Sequence, residues 1–145
     1  MNFFFDNILL ISIAFVSGGL LIWPLVSKGI GAKLLSPAET SSLMNRENAV
    51  LIDIREKENL DLGIIPQALR LPESSLQKEL GNEKLIKKLQ DGKNKKKPVI
   101  MITSHRSSSA SAEKVFLQNG FKEVFRFDGG VEAWVEAGLV IKKLN

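Results

Sequence analysis

The segment Pro98–Ala112, PVIMITSHRSSSASA, most constrains the fold of this 145-residue chain. Its apolar run Val99–Ile102 follows a proline and predicts a buried strand. Small hydroxyl residues come next around His105 and Arg106, and a helical pattern begins at about Ser109. A strand, a tight polar loop and a helix start can together surround an anion with backbone N–H groups. Because ligands bind at the carboxyl ends of strands in α/β sheets, we expect the functional site at this loop.

The composition excludes several classes of function. The chain has no cysteine, which excludes disulfides, thiolate metal sites and cysteine catalysis. One histidine is too few for an ordinary zinc or iron site. The net charge of +4 is mild, and the basic residues are not interleaved with aromatic ones, so a nucleic-acid partner is not indicated. We expect no metal and no cofactor.

The segment Asn7–Ser27 contains no charged residue and predicts a single transmembrane helix. As a helix it would be roughly 31 Å long, about the thickness of the hydrocarbon core of a bilayer. Trp23 lies near one end, as an interfacial aromatic residue would. Asp6 precedes the run and Lys28 follows it, so the positive-inside rule places the amino terminus outside and the rest in the cytoplasm. We expect a single-pass protein of the bacterial inner membrane, with the bilayer as one partner.

Two other interpretations of this apolar segment are weaker. A buried helix of a soluble domain is rarely so long or so apolar on all sides. A cleaved signal peptide would have a positive region before the apolar run, which is absent here. The predicted organisation is therefore an anchor and linker over residues 1–33 and a domain over residues 34–145.

Strand and helix patterns alternate through the second region. The predicted strands are Ala49–Ile54, Ala68–Pro72, Val99–Ile102 and Val124–Phe127. The predicted helices are Ser36–Asn45, Arg55–Asp61, Glu73–Leu89 with a break near Gly81, Ser108–Asn119 and Val131–Ala137. The segment Asp91–Lys97 is predicted to be a surface loop. This alternation predicts an α/β fold with a parallel sheet and helices on both faces.

Three segments resemble the rhodanese-like (sulfurtransferase) family. Ile52–Glu56, IDIRE, resembles the family's D-V-R-E, and Gly63–Pro72, GIIPQALRLP, is similar to its G-H-I-P-G-A-x-N-I-P. Gly120–Val124 and Phe127–Leu139 match its closing G-F-x-x-V and L-x-G-G-x-x-A-W…A-G-L. The resemblance covers about residues 34–145 and implies a rhodanese-like parallel sheet. With its amino-terminal anchor, the chain looks like the small membrane-anchored rhodanese-like proteins of bacteria.

The chain departs from the family pattern at the loop where the family resembles C-R-S-G-N-R-S-A. Aligned without gaps, Thr103 falls at the cysteine position, and a register one residue later places Ser104 there. In the ungapped register, with Thr103 at the cysteine position, Ser108 falls at the loop's arginine and Arg106 at its glycine. In the second motif, Ile64 replaces the histidine of G-H-I-P. Further along that second motif, Gln67 replaces the glycine. Neither register supplies a thiol.

Sulfur transfer in this family requires a persulfide on a thiolate, which a hydroxyl oxygen cannot replace. His105 is too near Thr103 and Ser104 in sequence to be a well-placed base, so we predict no catalytic residue, with Thr103 as the degenerate position. The predicted contact surface for a protein partner or an anion is the loop Thr103, Ser104, His105, Arg106, Ser107, Ser108 and Ser109. The residues with predicted structural roles are Asp53, Arg55, Gly129, Gly130 and Trp134.

Three functional hypotheses follow. The first is a catalytically inactive, membrane-anchored rhodanese-like module that binds a protein partner at the cytoplasmic face of the inner membrane. The second is a sensor whose loop binds sulfate or phosphate. The third is an enzyme of the sulfurtransferase family with altered, hydroxyl-based chemistry, which includes a hydrolase or a phosphatase-like activity.

Overall fold

The computed structural model of the chain describes residues 2–27, 32–92, 95–104 and 109–144, with side chains up to residue 23 in the first range. The chain forms two compact units, Met1–Gly31 and Ala32–Asn145.

The first unit consists of the short helix α1, Phe3–Asp6, and the helix α2, Ile8–Ser27. Large apolar side chains along α2 are exposed; Phe15, for example, is 79% accessible and Leu21 76%. Over the described part of the chain, no helix combines the length and the apolarity needed to cross a membrane. The described residues therefore do not support the predicted transmembrane helix.

The second unit alternates strands and helices. Its strands are β1 Lys33–Leu35, β2 Val50–Asp53, β3 Leu69–Arg70, β4 Gln90–Asp91, β5 Lys95–Lys96, β6 Val99–Ile102 and β7 Val124–Phe127. Its α-helices are α3 Pro37–Glu47, α4 Leu76–Glu79, α5 Glu83–Lys88, α6 Ala110–Gln118 and α7 Gly130–Glu136. Two 3₁₀ turns, Lys57–Asn59 and Glu73–Ser75, complete it.

Five strands form one parallel sheet in the order β1-β7-β6-β2-β3. In the central pair, Leu51 of β2 is opposite Ile100 of β6, and Ile100 is in turn opposite Phe125 of β7. Parallel strands end at the same edge of a sheet, so the loops after β2, β3, β6 and β7 lie near one another. The predicted parallel sheet is confirmed.

Residues of the central strands alternate between two apolar cores. Ile52 and Met101 pack on one face with α4 and α6, where Phe116 is fully buried. Leu51 and Ile100 pack on the other face with α3 and α7. A strand buried on both faces explains why β6 is apolar at every position. The prediction of helices on both faces is thus confirmed.

Three local predictions differ from the structure. The segment Arg55–Asp61 contains only the 3₁₀ turn Lys57–Asn59, not a helix. The strand β1 was not predicted, because three residues are too short for a periodic pattern. A surface loop was expected over Asp91–Lys97, but β4 and β5 form an antiparallel pair there, with Gln90 opposite Lys96. The predicted break near Gly81 is confirmed, since α4 and α5 are separate helices.

A capping box begins α3. The hydroxyl of Ser36 accepts a hydrogen bond from the Glu39 N–H at 3.2 Å, and the Glu39 carboxylate accepts one from the Ser36 N–H at 3.0 Å. We expect Ser36→Ala to lower the free energy of unfolding by about 1 kcal/mol, because it leaves a helix N–H without its partner. Urea denaturation measures this change. The control Ser41→Ala, at an exposed position within α3, should cause no loss; equal losses in both variants would contradict a capping role.

Candidate functional site

The end of β6 holds Thr103 in a fixed position. The Ile102 carbonyl accepts a hydrogen bond from the Ile54 N–H at 3.2 Å, and the Thr103 carbonyl accepts one from the Val131 N–H at 2.9 Å. Thr103 is therefore tied to the segment after β2 and to the start of α7. It is only 5% exposed, whereas Ser104 is partly exposed. Of these two described residues, Ser104 is the more exposed.

A buried ion pair lies beside this strand end. The Arg55 Nε donates to Asp53 Oδ1 at 2.9 Å, and Arg55 Nη2 donates to Asp53 Oδ2 at 2.8 Å. Both side chains are fully buried. Two parallel hydrogen bonds make this a bidentate pair, the strongest geometry between a guanidinium and a carboxylate. Because the charges neutralise each other, the positive charge of Arg55 is not free for a ligand.

The remaining Arg55 donors hold the loop after β2. Nη1 donates to the Asn59 carbonyl at 3.2 Å, and Nη2 also donates to the Gly63 carbonyl at 2.9 Å. Gly63 has a φ of +108°, and a Cβ there would lie 2.4 Å from the Lys142 carbonyl oxygen. Arg70 Nη2 donates in turn to the Arg55 carbonyl at 3.2 Å. The ion pair therefore fixes the loop at one side of the strand end.

A small pocket of about 40 Å³ opens between these segments. The residues that line it are Ile54, Arg55, Glu56, Asn59, Glu73, Thr103 and Ser104. Ligand sites for drug-sized molecules measure roughly 300–1,000 Å³. The pocket is large enough for a few waters or one small group.

Two carboxylates give the pocket negative charge. Glu56 accepts hydrogen bonds from the Ser74 N–H at 2.8 Å and the Ser74 hydroxyl at 3.0 Å. Glu73 accepts one from the Ser111 hydroxyl. Within the described ranges, neither carboxylate has a cation within ion-pair distance. These carboxylates oppose the binding of sulfate or phosphate in this pocket.

The other side of the predicted loop contacts β7. Ser109 is 3% exposed, and its hydroxyl accepts a hydrogen bond from Arg126 Nη1 at 3.4 Å. The turn after β7 contains Gly129 and Gly130, both with positive φ, and Trp134 follows on α7. Of the predicted contact loop, Thr103, Ser104 and Ser109 are thus placed. His105, Arg106, Ser107 and Ser108 lie outside the described residues.

Residues 36–137 match the family model of the rhodanese-like domain. The chain belongs to the rhodanese-like domain family. It is similar to a protein named thiosulfate sulfurtransferase GlpE from Pseudoalteromonas translucida, with 30% identity over 72% of this chain and 90% of the relative. A GlpE of Coxiella burnetii is 31% identical over 70% of this chain and 86% of its own length.

Solved structures are also similar to this chain. The human single-domain sulfurtransferase TSTD1 has a TM-score of 0.54 and 26% identity, covering 73% of this chain and 97% of its own. A protein from Bacillus halodurans, BH2092, has a TM-score of 0.59 at 22% identity and covers 83% of each chain, which shows the fold alone.

Several residues of this rhodanese-like site were not predicted from the sequence. Glu56, Asn59 and Glu73 line the pocket, and Arg126 contacts Ser109, but none was singled out. A signal was present, since Glu56 and Glu73 each follow closely after a strand of the parallel sheet. The carboxyl ends of neighbouring strands meet at one edge, so residues just after each strand were candidates.

Proposed function

We propose that this chain is a rhodanese-like binding module that does not transfer sulfur through a persulfide. The observation that carries the proposal is the absence of cysteine, with Thr103 at the end of the strand that leads into the site loop. A hydroxyl has a pKa far above that of a thiol and does not form a persulfide. The chain's one histidine, His105, is two residues from Thr103 in sequence, a separation that does not favour the geometry of a nucleophile and its base.

Sulfur transfer from thiosulfate to cyanide, detected as thiocyanate, tests this proposal. We expect the full-length protein to produce no more thiocyanate than Thr103→Ala or a blank without protein. The matched variant lacks the hydroxyl but retains the buried strand end. A GlpE relative serves as the positive control. Thiocyanate formation by the wild type that Thr103→Ala abolishes would overturn the proposal.

The names of the relatives favour one competing function. Because they are called thiosulfate sulfurtransferases, the second candidate is an enzyme of that class with altered, hydroxyl-based chemistry. Such an enzyme would use Thr103 or Ser104, of which only Ser104 is appreciably accessible. The assay above, repeated with Ser104→Ala, separates this candidate from the binding module.

The size of the pocket supports a macromolecular partner for the binding module. A pocket of about 40 Å³ can accept one small group of a partner, while the rest of the contact forms on the surrounding loops. A photo-crosslinking residue at Ser104 should capture the partner in native membranes. The same residue at Gln118, on an exposed end of α6, is the control. Equal capture from both positions would remove the pocket from the interface.

The anion-sensor hypothesis receives less support from the described residues. Glu56 and Glu73 give the pocket negative charge, and Arg55 is neutralised by Asp53. Calorimetry with sulfate and phosphate tests it directly. We expect no saturable heat at millimolar concentrations, and saturable binding lost in Arg106→Ala would instead support the sensor.

We further propose that the amino-terminal unit attaches the chain to the bacterial inner membrane, with the amino terminus outside and the domain in the cytoplasm. Residues 7–27 have no charged side chain, and the apolar side chains described on α2 are exposed. Exposed apolar surface of this extent is covered in water-soluble assemblies or in lipid. The test is flotation with neutral phosphatidylcholine vesicles. Introducing charges with Leu10→Lys and Val16→Lys should abolish flotation if lipid covers this helix.

A further inference from the structure

The amino-terminal edge of the parallel sheet carries a cluster of basic side chains. We name this cluster the basic edge; its members are Lys33, Arg46, Lys95, Lys96, Lys97 and Lys122. Four of them, Arg46 and Lys95–Lys97, line a recess of about 270 Å³ in front of β6. The carboxylates nearby are fewer, namely Glu47, Asp91 and Glu123.

These basic side chains are available to an external partner. Across the described residues, the ion pairs join Asp53 with Arg55 and Arg70, and none involves the basic edge. Lys96 also lies over the Phe121 ring, 5.5 Å from its centroid. Lysines on long flexible stems can extend toward a charged surface while their stems stay packed.

The opposite edge of the sheet has the opposite charge. Besides the neutralised pair Asp53–Arg55, the described residues of the segments after the strands carry more carboxylates than cations; Arg106, in the loop after β6, lies outside the described residues. The carboxylates include Glu39, Glu56, Glu58, Asp61, Glu73 and Asp128, and the cations include Lys57 and Arg70. Since a strand rises about 3.3 Å per residue, the two edges are separated by roughly 20 Å between Lys97 and Thr103. In the described part of the domain, positive side chains are therefore concentrated at one end of the strands and negative side chains at the other.

The chain enters the domain at the basic edge. β1 begins at Lys33 and pairs in parallel with β7, so its first residue lies at the edge where the other strands of the parallel sheet also begin. The predicted membrane segment precedes β1 in sequence, with the short linker of residues 28–32 between them. A tether to a membrane would thus be attached at the edge that carries the positive charge.

We propose that the basic edge docks on an anionic lipid surface and holds the candidate site at the far, acidic edge, away from the membrane. The inference rests on the proposed membrane attachment. Anionic headgroups attract clustered lysines and arginines within a Debye length of the surface, while the acidic edge is repelled. The two effects act in the same direction and orient the domain. The candidate site then faces partners that arrive from the cytoplasm.

Fluorescence energy transfer to an acceptor on the lipid headgroups tests this orientation in the full-length protein. Because the chain has no cysteine, a single introduced thiol carries the donor dye at a known place. Gln118→Cys places it at the basic edge and Glu58→Cys at the acidic edge, both exposed. The vesicles are neutral phosphatidylcholine, or phosphatidylcholine with phosphatidylserine.

We expect stronger transfer from position 118 than from position 58 on phosphatidylserine vesicles, and a much smaller difference on neutral ones. Adding salt to 1 M, where the Debye length is about 3 Å, should remove the difference. The variant Lys95→Gln/Lys96→Gln/Lys97→Gln should also remove it. The control Lys57→Gln/Lys78→Gln/Lys114→Gln has the same change in net charge and should retain it.

The outcomes separate this inference from the proposed attachment. If the protein floats with neutral vesicles but energy transfer on phosphatidylserine vesicles is equal from positions 118 and 58, the proposed attachment stands and the docking is overturned. If the protein binds phosphatidylserine vesicles but not neutral ones, and the binding requires Lys95–Lys97, the apolar attachment is overturned and the docking is supported. Binding to neither vesicle overturns both. If inorganic phosphate at constant ionic strength releases the basic edge from phosphatidylserine vesicles, the edge is a site for free phosphate, and lipid docking is also overturned.

Discussion

We expect Asp53→Ala to lower the free energy of unfolding by about 3–5 kcal/mol, because it leaves the buried guanidinium of Arg55 without its counter-charge. Both side chains are inaccessible to water, so solvent cannot replace the lost carboxylate. Arg70 Nε, 4.0 Å from Asp53 Oδ2, loses the same carboxylate. The measurement is urea denaturation followed by the fluorescence of Trp134, in a Trp23→Phe background.

A double replacement distinguishes the ion pair from simple loss of packing. Asp53→Leu with Arg55→Met removes both charges, and it should cost less than Asp53→Ala alone. Some loss should remain, because Arg55 also donates to the carbonyls of Asn59 and Gly63. The exposed control Lys57→Ala should change stability by less than about 0.5 kcal/mol. An effect of Asp53→Ala as small as that of the control would show that the pair does not stabilise the domain.

The second large effect is expected at Trp134. This side chain is 3% exposed, and its ring lies 5.2 Å from that of Phe127 in an edge-to-face arrangement. Its Nε1 also donates to the Val140 carbonyl at 2.9 Å. We expect Trp134→Ala to lower the free energy of unfolding by about 3–5 kcal/mol through lost contacts and a cavity.

The conservative variant Trp134→Phe separates the two contributions at this position. It keeps an aromatic ring against Phe127 and loses the hydrogen bond to Val140, so its cost should be smaller than that of Trp134→Ala. Circular dichroism during urea denaturation measures both variants, because the fluorescent residue is removed. Equal costs for the two would contradict the packing role of the ring.

The sequence was sufficient for the parts of the fold that depend on local patterns. The apolar run Val99–Ile102 predicted β6, and the helical pattern from Ser36 predicted α3. The strand β1 was missed because it is stabilised by pairing with β7, about 90 residues later, rather than by its own three residues. Short strands defined by distant partners carry little local signal.

The candidate site was only partly predictable for a related reason. Thr103 and Ser109 were singled out because the loop follows an evident strand. The acidic character of the pocket was not, since Glu56 and Glu73 come from separate loops that meet only when β2, β3 and β6 align. Charges brought together by topology are not visible as a motif. The strand order had to be known first.

The pairing of β1 with β7 also determines when the domain can be completed during synthesis. β1 is made first and pairs in the sheet with the last strand, so its edge stays open until Phe127 has left the ribosome. Sheet closure over so long a separation is slow, and unpaired strand edges promote aggregation while they persist. The amino-terminal segment is therefore complete and accessible before the domain that follows it has folded. If this segment attaches to a membrane as proposed, attachment can begin before the candidate site has formed.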